Sequence, residues 1–447
     1  MKSKFRVDVN ERLETFSHAM TNNLTQDHAI PTAQDKTAKH ASCRFCGSDL
    51  HHTFADLGMS PPCESNLSAD QLNRMEAFYP LHVFVCEDCF LVQLEEYVSP
   101  ENIFTEYAYF SSYSDSWLAH AKAYTDLMVK RFSLNRSSLV VELASNDGYL
   151  LQYFVEKGVP VLGIEPAVNV AKEATNRGIP TLVKFFGQEL AAEMVRDGIQ
   201  ADLILGNNVL AQVPEVCSFV QGMKTLLKPQ GVITLEFPHL MRLMEGNQFD
   251  TIYHEHFSYF SFLTVMKIMA KFGLTVFDVE ELSTHGGSLR VYARHGQDTS
   301  RPVTERAKEL AEREEKAGFT RLETYSSFDE KVKETKRKIM TFLIEAKRAG
   351  KSIAGYGAPG KGNTLLNYCA IRTDFLDYTV DRNPYKHGKF LPGTHIPIFP
   401  PNKIRETKPD YVLILPWNLK DEIREQLSYI RAWGGKFVVP IPEVEVF

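Results

Sequence analysis

The chain is 447 residues long, enough for about three domains, and is 44% hydrophobic and 24% charged, which excludes wholesale disorder. A formal charge of −6 lacks the basic excess of a nucleic-acid binder. There is no run of 18 apolar residues to span a membrane, and the opening MKSKFRVDVNERLETF has no uninterrupted apolar core of a secretory signal, so a cytoplasmic address is expected.

Residues 1–40 are polar, weakly periodic and read as an N-terminal extension. Residues 41–100 are short, Cys- and Pro-punctuated and β-leaning, the pattern of a small metal-stapled module. From 101 to 300, strand-length apolar runs (SLVVELA, PVLGIEP, ADLILGN, GVITLEF) alternate with helical segments, which specifies an α/β domain with a mostly parallel, doubly wound sheet. Residues 301–350 are rich in Lys, Glu and Arg at helical spacing and read as a solvated helical linker. A second α/β series (SIAGYG, FLDYTVD, YVLILP, KFVVPIP) fills 351–447 and reads as another Rossmann-like domain.

Seven cysteines are too few for a disulfide framework, but four of them form two C-x-x-C pairs, Cys43/Cys46 and Cys86/Cys89. Two such knuckles in one small segment favour a tetrahedral zinc site over a redox pair. Four thiolates leave no open position, so the ion is read as structural. Cys63, Cys217 and Cys369 stand alone and read as small buried hydrophobes.

In VELASNDGYLL, Glu142, Ala144, Asn146 and Gly148 fall at alternate positions after a strand, the spacing of the E-x-G-x-G-x-G loop of class I methyltransferases with only its last Gly kept. Small Ala144 lets the backbone pass close under the methionyl group of S-adenosylmethionine, Asn146 tolerates a left-handed conformation, and Gly148 opens a helix. Glu165 ends the next strand, 23 residues after Glu142, where a carboxylate can bind both ribose hydroxyls, and Asn207 and Asn208 end a later strand facing the ligand side of an open sheet.

Tyr253, His254, Glu255 and His256 of DTIYHEHFSYFSF follow the strand GVITLEF, on a loop at the sheet's carboxyl edge. A histidine near neutral pKa is the natural base for removing a proton beside a carbonyl, and an adjacent Tyr can hydrogen-bond a developing enolate. A buried, hydrogen-bonded structural cluster is the plain alternative. His285, Ser288 and Arg290 of THGGSLRVYA border the same site or form a strand with a Gly bulge.

The ordered set C-x-x-C…C-x-x-C, EYAYFSSYSDSW, VELASNDGYLL, GIEPA, NNVLAQVP, YHEHFSYF, THGGSLRVYA and GYGAPGKGN resembles the sugar C-methyltransferase family over about residues 41–447. The resemblance implies a zinc-binding N-terminal module, a central S-adenosylmethionine domain and a C-terminal Rossmann-like domain that helps hold a nucleotide sugar. It implies C-methylation at C3 of a thymidine-diphosphate-linked 4-keto deoxysugar, for branched-chain sugar synthesis, and it leans to a monomer. By the same resemblance His256 is the base, Tyr253 and Glu255 line its pocket, and Tyr107 closes over it. One departure stands out: relatives carry His in the motif that here reads NNVLAQVP, where Gln212 cannot act as a base.

GYGAPGKGN also matches G-x-G-x-x-G at Gly355, Gly357 and Gly360, with Asp381 ending the next strand 21 residues on, a nicotinamide-dinucleotide fingerprint. The rival reading is therefore an NAD-dependent nucleotide-sugar enzyme. Pro359 removes a donor from the phosphate-facing turn and Lys361 suits a diphosphate, so Tyr356, Gly360, Lys361 and Asn363, with Arg290, are expected against a nucleotide sugar. A zinc-ribbon scaffold with two degenerate Rossmann domains is a third reading, one that gives YHEHFSYF no use.

Overall fold

In the computed structural model, residues 41–104 and 110–447 are described, and their strands form three sheets. The N-terminal module is an antiparallel meander, β1 (His52–Ser60), β2 (Tyr79–Val85) and β3 (Val92–Leu94). Leu81, Val83 and Val85 alternate inward along β2, as a two-residue side-chain period requires. The two knuckles close alike: Gly47 donates its backbone N–H to Cys43 (2.9 Å) and Phe90 to Cys86 (3.0 Å). Both turn residues have positive φ, +87° at Gly47 and +64° at Phe90, free for glycine and costly for phenylalanine.

The central sheet contains β4 (Val140–Leu143), β5 (Val161–Ile164), β6 (Thr181–Leu182), β7 (Ala201–Asn207), β8 (Leu227–Pro238), β10 (Leu274–Leu282) and β11 (Ser288–His295), with β9 (Ser258–Tyr259) lying outside it. Its order is β10-β11-β8-β7-β4-β5-β6; β4 to β8 run parallel, and β11 is inserted antiparallel between β8 and β10. The chain direction across the sheet reverses between β4 and β7, and ligands of open α/β sheets bind at the carboxyl ends of such a switch point. The strand β9 instead pairs with β3, so the loop carrying Tyr253–His256 runs directly into the N-terminal module's sheet.

The third sheet runs β14 (Ile398–Phe399), β13 (Thr379–Val380), β12 (Ile353–Tyr356), β15 (Tyr411–Ile414), β16 (Lys436–Val439) and β17 (Glu445–Val446), parallel except for β17. The mixed α/β class expected from strand–helix alternation is therefore what the chain adopts.

Five helices matter for the site: α1 (Asp115–Phe132), α2 (Phe262–Lys271), α3 (Glu305–Lys316), α4 (Phe328–Arg348) and α5 (Gly360–Tyr368). Helices α1 and α2 start on serine caps, Ser114 accepting from Trp117 N–H (3.3 Å) and Ser261 from Thr264 N–H (3.1 Å). The charged 301–350 segment is helical but not solvated all round. Phe328, Val332, Ile339 and Leu343 form an i, i+4, i+11, i+15 stripe on α4 that is fully buried, with Phe328 stacked on Phe54 of β1 at 4.7 Å. The α3 carboxylate Glu314 is also fully buried, accepting from His239 (2.6 Å) and from the backbone N–H groups of Phe262 (2.8 Å) and Leu263 (2.9 Å) at the start of α2. Among the described residues, no helix is long and apolar enough to cross a membrane.

Candidate active site and metal centre

The metal-binding residues come first in the chain. The Sγ atoms of Cys43, Cys46, Cys86 and Cys89 all lie within 4.8 Å of one another. Two of the separations are 3.5 Å (Cys43–Cys89) and 3.4 Å (Cys46–Cys86), near the roughly 3.8 Å spacing that four 2.3 Å zinc–sulfur bonds impose on a tetrahedron. The donor set fits zinc and leaves no vacancy for a substrate. Hydrogen bonds from Cys86 and Cys89 hold the Cys43 thiol below its usual value, and the same contacts push Cys86 and Cys89 up. Behind the cluster, Gln93 of β3 donates to Cys43 Sγ (3.2 Å) and accepts from Arg44 N–H (2.9 Å). Gln93 is also the residue paired with Ser258 of β9.

A cavity of about 1290 Å³ opens at the switch point of the central sheet. Its walls bring together Ala144, Asn146, Glu165, Asn207 and Asn208 on one side with Tyr253, Glu255 and His256 on the other, and Gly360 and Lys361 from the C-terminal domain. Gln212 lines it too, on the turn whose Ala211 carbonyl accepts the Phe257 N–H at 2.7 Å. Tyr107, expected to close over the site, lies outside the described residues.

The loop after β4 turns through three positive-φ residues, Ala144 (+56°), Asn146 (+48°) and Gly148 (+76°), the alternate positions read from the sequence. Gly148 is needed for packing: a Cβ there would fall 2.4 Å from Ile179 Cδ1, and the residue stands behind the cavity wall. Glu165 Oε2 accepts the Asn146 N–H (2.8 Å) and Oε1 the Ala167 N–H (2.9 Å), so the carboxylate braces the loop and keeps lone pairs for a ligand. Burial pushes Glu165 up to about 7 against the pull of these two donors. Glu142 also lies behind the wall, fully buried, and among the described residues neither of its oxygens has a partner; the same holds for Ser145 Oγ and Asn208 Oδ1. Of these only Asn208 lines the cavity, joined there by Asn207, whose amide atoms also lack partners among the described residues; such orphans beside Glu165 are what an amino acid and ribose would satisfy, so the residues present fit S-adenosylmethionine.

The histidines separate cleanly. His256 is buried, donates its Nδ1–H to the Thr251 carbonyl (3.1 Å) and packs against Tyr253 with ring centroids 4.1 Å apart and planes tilted by 34°. Burial pulls its pKa down to about 4, the Thr251 bond opposes this, and nearby His285 and Lys361 add to the depression. His254 faces the other way, donating Nε2–H to the Pro80 carbonyl (3.1 Å) and packing edge-on against Tyr79. His285 lines the cavity, in the left-handed region at φ +54°, and accepts from Asn208 Nδ2 (3.1 Å).

Three residues expected against the substrate lie elsewhere. Arg290 is 5% exposed and locked to Glu236 (Nε–Oε1, 2.7 Å) and Glu280 (2.9 Å), because β11 sits antiparallel beside β8 and points it into the sheet's face. Tyr356 is buried, its hydroxyl donating to Gln426 (3.1 Å). Asn363 faces into α5's packing, donating to the Cys63 carbonyl (3.4 Å). Ser288 is likewise buried and donates to Thr284 O (3.0 Å). Asp381, which would hold a ribose in a dinucleotide site, accepts the backbone N–H groups of Ala358 (2.7 Å) and Asn383 (2.8 Å). Lys386 donates to the Ala358 carbonyl (2.8 Å) and to Glu64 (2.9 Å) beside that loop, a crowded setting for a dinucleotide.

Several cavity residues had no site role assigned from the sequence. Trp117 stacks on His120 (4.9 Å) and Tyr149 (6.0 Å) in the wall, Phe185 and Phe186 follow the two-residue strand β6, and Cys63 is not merely a small hydrophobe: its thiol donates to Glu255 Oε1 at 3.6 Å. Cys369 is buried and Cys217 half-buried.

Family models match in three consecutive stretches: a zinc binding domain at residues 43–104, a methyltransferase domain at 117–279, and a C-methyltransferase C-terminal domain at 283–442. The C-methyltransferase NovU of Streptomyces niveus is 35% identical over 414 residues, covering 92% of this chain and 98% of that protein. Among solved structures, magnesium protoporphyrin IX methyltransferase from Synechocystis PCC 6803 with bound SAM is 16% identical, covering 40% of this chain and 81% of that one at a TM-score of 0.30. A S-adenosylmethionine-dependent methyltransferase from Clostridium acetobutylicum ATCC 824 is 11% identical, covering 40% and 92% at a TM-score of 0.33.

Proposed function

The chain belongs to the sugar C-methyltransferase family and is an S-adenosylmethionine-dependent C-methyltransferase, and on that premise we propose that it methylates C3 of a nucleotide-linked 4-keto deoxysugar, with His256 as general base. The nucleotide in this reading is thymidine diphosphate. The observation that carries it is the His256–Thr251 bond: with Nδ1–H spent on a backbone carbonyl, Nε2 is the ring's proton acceptor, in a cavity shared with the Ala144–Asn146 loop and Glu165.

S-adenosylmethionine, when bound, supplies an electrophilic methyl group on a sulfonium. Glu165, Asn146 and Asn208 are the residues that would hold it. A sugar carbon has no lone pair to offer such a methyl group, so a carbanion equivalent must be made, and the C4 ketone is what renders the C3 proton removable. His256 takes that proton at Nε2; the C–H electron pair moves into the C3–C4 bond and the carbonyl π pair onto O4. Tyr253, packed against the imidazole, and Glu255 line the space beside it. Gln212 offers an amide there, which orients a hydroxyl and transfers no proton. In this reading the enzyme is a monomer that acts in the cytoplasm on a soluble nucleotide sugar.

The test is proton NMR of a thymidine-diphosphate-linked 4-keto-6-deoxyhexose in D₂O with enzyme and no methyl donor. Loss of the C3 proton signal is expected with the parent enzyme and not with His256→Asn. Exchange at C5 alone, or none, would overturn the reading.

A further inference from the structure

Removing the C3 proton leaves a full negative charge on O4, and a buried oxyanion needs a positive partner or strong donors. Three cationic side chains line the cavity among the described residues: Lys184, Arg196 and Lys361. Lys184 pairs with Glu193 at 3.5 Å on the segment beyond Glu165, and Arg196 ends the helix Gln188–Arg196. Lys361 is the one whose charge is felt at His256.

Its position is fixed from two sides. Lys361 stands in the first turn of α5, whose Thr364 Oγ1 donates to the Ile252 carbonyl at 2.9 Å, one residue from the Thr251 carbonyl that holds His256. Beside it, Trp417 from the C-terminal domain presents its ring 4.9 Å from the ammonium and donates Nε1–H to Asp250 Oδ2 at 2.7 Å. Asp250 is fully buried, and among the described residues its Oδ1 has no partner; burial pushes its carboxyl up to about 6, with nearby Lys361 and the Trp417 hydrogen bond opposing that push. Burial pulls the Lys361 ammonium below the usual lysine value, and Asp250 opposes that pull. One ammonium N–H goes to Asn418 Oδ1 (2.9 Å), and the group has two more to donate.

Resting on the sugar reading above, we propose that Lys361 is a catalytic residue whose ammonium stabilises the O4 oxyanion formed when His256 removes the C3 proton, rather than a ligand of the substrate's diphosphate. Asp250 and Trp417 are then positioning residues that hold this cation against the catalytic loop. The proton goes to His256 Nε2, the electron pair comes to rest on O4, and no further reactant is needed for this half of the reaction.

The two roles separate in one experiment on the full-length protein. Lys361→Met keeps the stem and removes the charge. C3 exchange in D₂O at saturating 4-keto sugar should fall about 10²–10³-fold, the loss expected for one oxyanion donor. Affinity for thymidine diphosphate alone, measured by calorimetry, should stay within about 2-fold of the parent, and Lys361→Arg should recover part of the exchange. Trp417→Phe removes the hydrogen bond and keeps the ring, and should lower the exchange rate without changing thymidine diphosphate affinity. Exchange at the parent rate in Lys361→Met, or lost nucleotide affinity with saturated exchange intact, overturns the assignment. If the parent enzyme itself fails to exchange C3, the sugar reading falls and this proposal with it, whereas exchange in the parent with indifference to Lys361 removes only the proposal.

Discussion

His256 gives its Nδ1–H to the Thr251 carbonyl at 3.1 Å, while His254, two residues away, gives Nε2–H to Pro80 at 3.1 Å in the N-terminal module. One ring is aimed into the cavity and the other out of it. His256→Asn should therefore lower both C3 exchange and methylation by about 10²–10⁴-fold. His254→Asn should leave the rates near those of the parent and cost about 1 kcal/mol of stability for one lost hydrogen bond. Reversed outcomes in exchange and thermal denaturation assays would exchange the two roles.

The same burial sets the pH dependence. With the His256 pKa pulled from 6.5 to about 4, the base stays free well into the acid range, so the acid limb of the exchange rate should fall near pH 4 and not near 6.5. The unfolded chain takes up this proton first as pH drops. Its contribution to stability is thus complete above 6.5 and is lost as pH falls through about 4. Rate–pH profiles of the parent enzyme decide this, and a limb at 6.5 would mean that the imidazole is solvated in the working state.

Glu165 both braces the Asn146 N–H (2.8 Å) and lines the cavity, so Glu165→Ala removes a ligand contact and a loop support together. Charge-assisted hydrogen bonds are worth about 1.5–3 kcal/mol each, which predicts at least a tenfold loss of S-adenosylmethionine affinity by calorimetry. Glu165→Gln, which retains an acceptor oxygen, should lose less. Equal affinity in both variants and the parent would put the ribose contact on another residue.

What the sequence disclosed and what it concealed follow from range. The Glu142–Gly148 spacing, Glu165 at the next strand end and the cysteine knuckles are local patterns, each set by turn chemistry within a few residues; the four cysteines meet, and Ala144, Asn146 and Glu165 line the cavity while Glu142 and Gly148 lie behind its wall. Arg290 looked available because a charged residue in a strand end resembles a ligand contact; its true partners, Glu236 and Glu280, depend on which strand lies beside β11. Trp117 and Phe185 reach the cavity through packing within the methyltransferase domain, and Cys63 and Asp250 meet Glu255 and Trp417 across domains; no pattern along the chain marks such meetings. The buried stripe of α4 was hidden by its charges: a helix rich in Lys and Glu can still bury one face.

Zinc should matter to chemistry as well as to stability, because Gln93 connects the cysteine cluster to β9, the strand that leaves the His256 loop. Cys86→Ala, or chelation of the parent, should remove one zinc per chain, lower the melting temperature and reduce C3 exchange. S-adenosylmethionine affinity should change little, since the Ala144–Asn146 loop sits on the other sheet. Metal analysis showing full zinc retention in Cys86→Ala would refute the ligand set, and exchange at the parent rate in metal-free protein would uncouple the module from the loop.

Arg290 tests whether buried charge here serves structure or substrate. Glu236 is 1% exposed and is held by Arg290 Nε (2.7 Å) and His120 Nε2 (2.8 Å); burial pushes its pKa up, and these two partners more than offset the push, leaving it below the usual carboxylate value. A carboxylate so held contributes stability at pH above 4.5 that is lost as pH falls through its lower folded value. Arg290→Met strips one partner from a buried ion and should cost about 3–5 kcal/mol near neutral pH. In the variant, burial acts with less opposition and raises the Glu236 pKa, so the folded state prefers the protonated acid. The stability gap between variant and parent should then widen from acid to neutral pH, as read from denaturant midpoints at pH 5 and 7. The KM for the nucleotide sugar should be unchanged at a temperature where the variant is folded. A KM rise with unchanged stability would return Arg290 to the substrate.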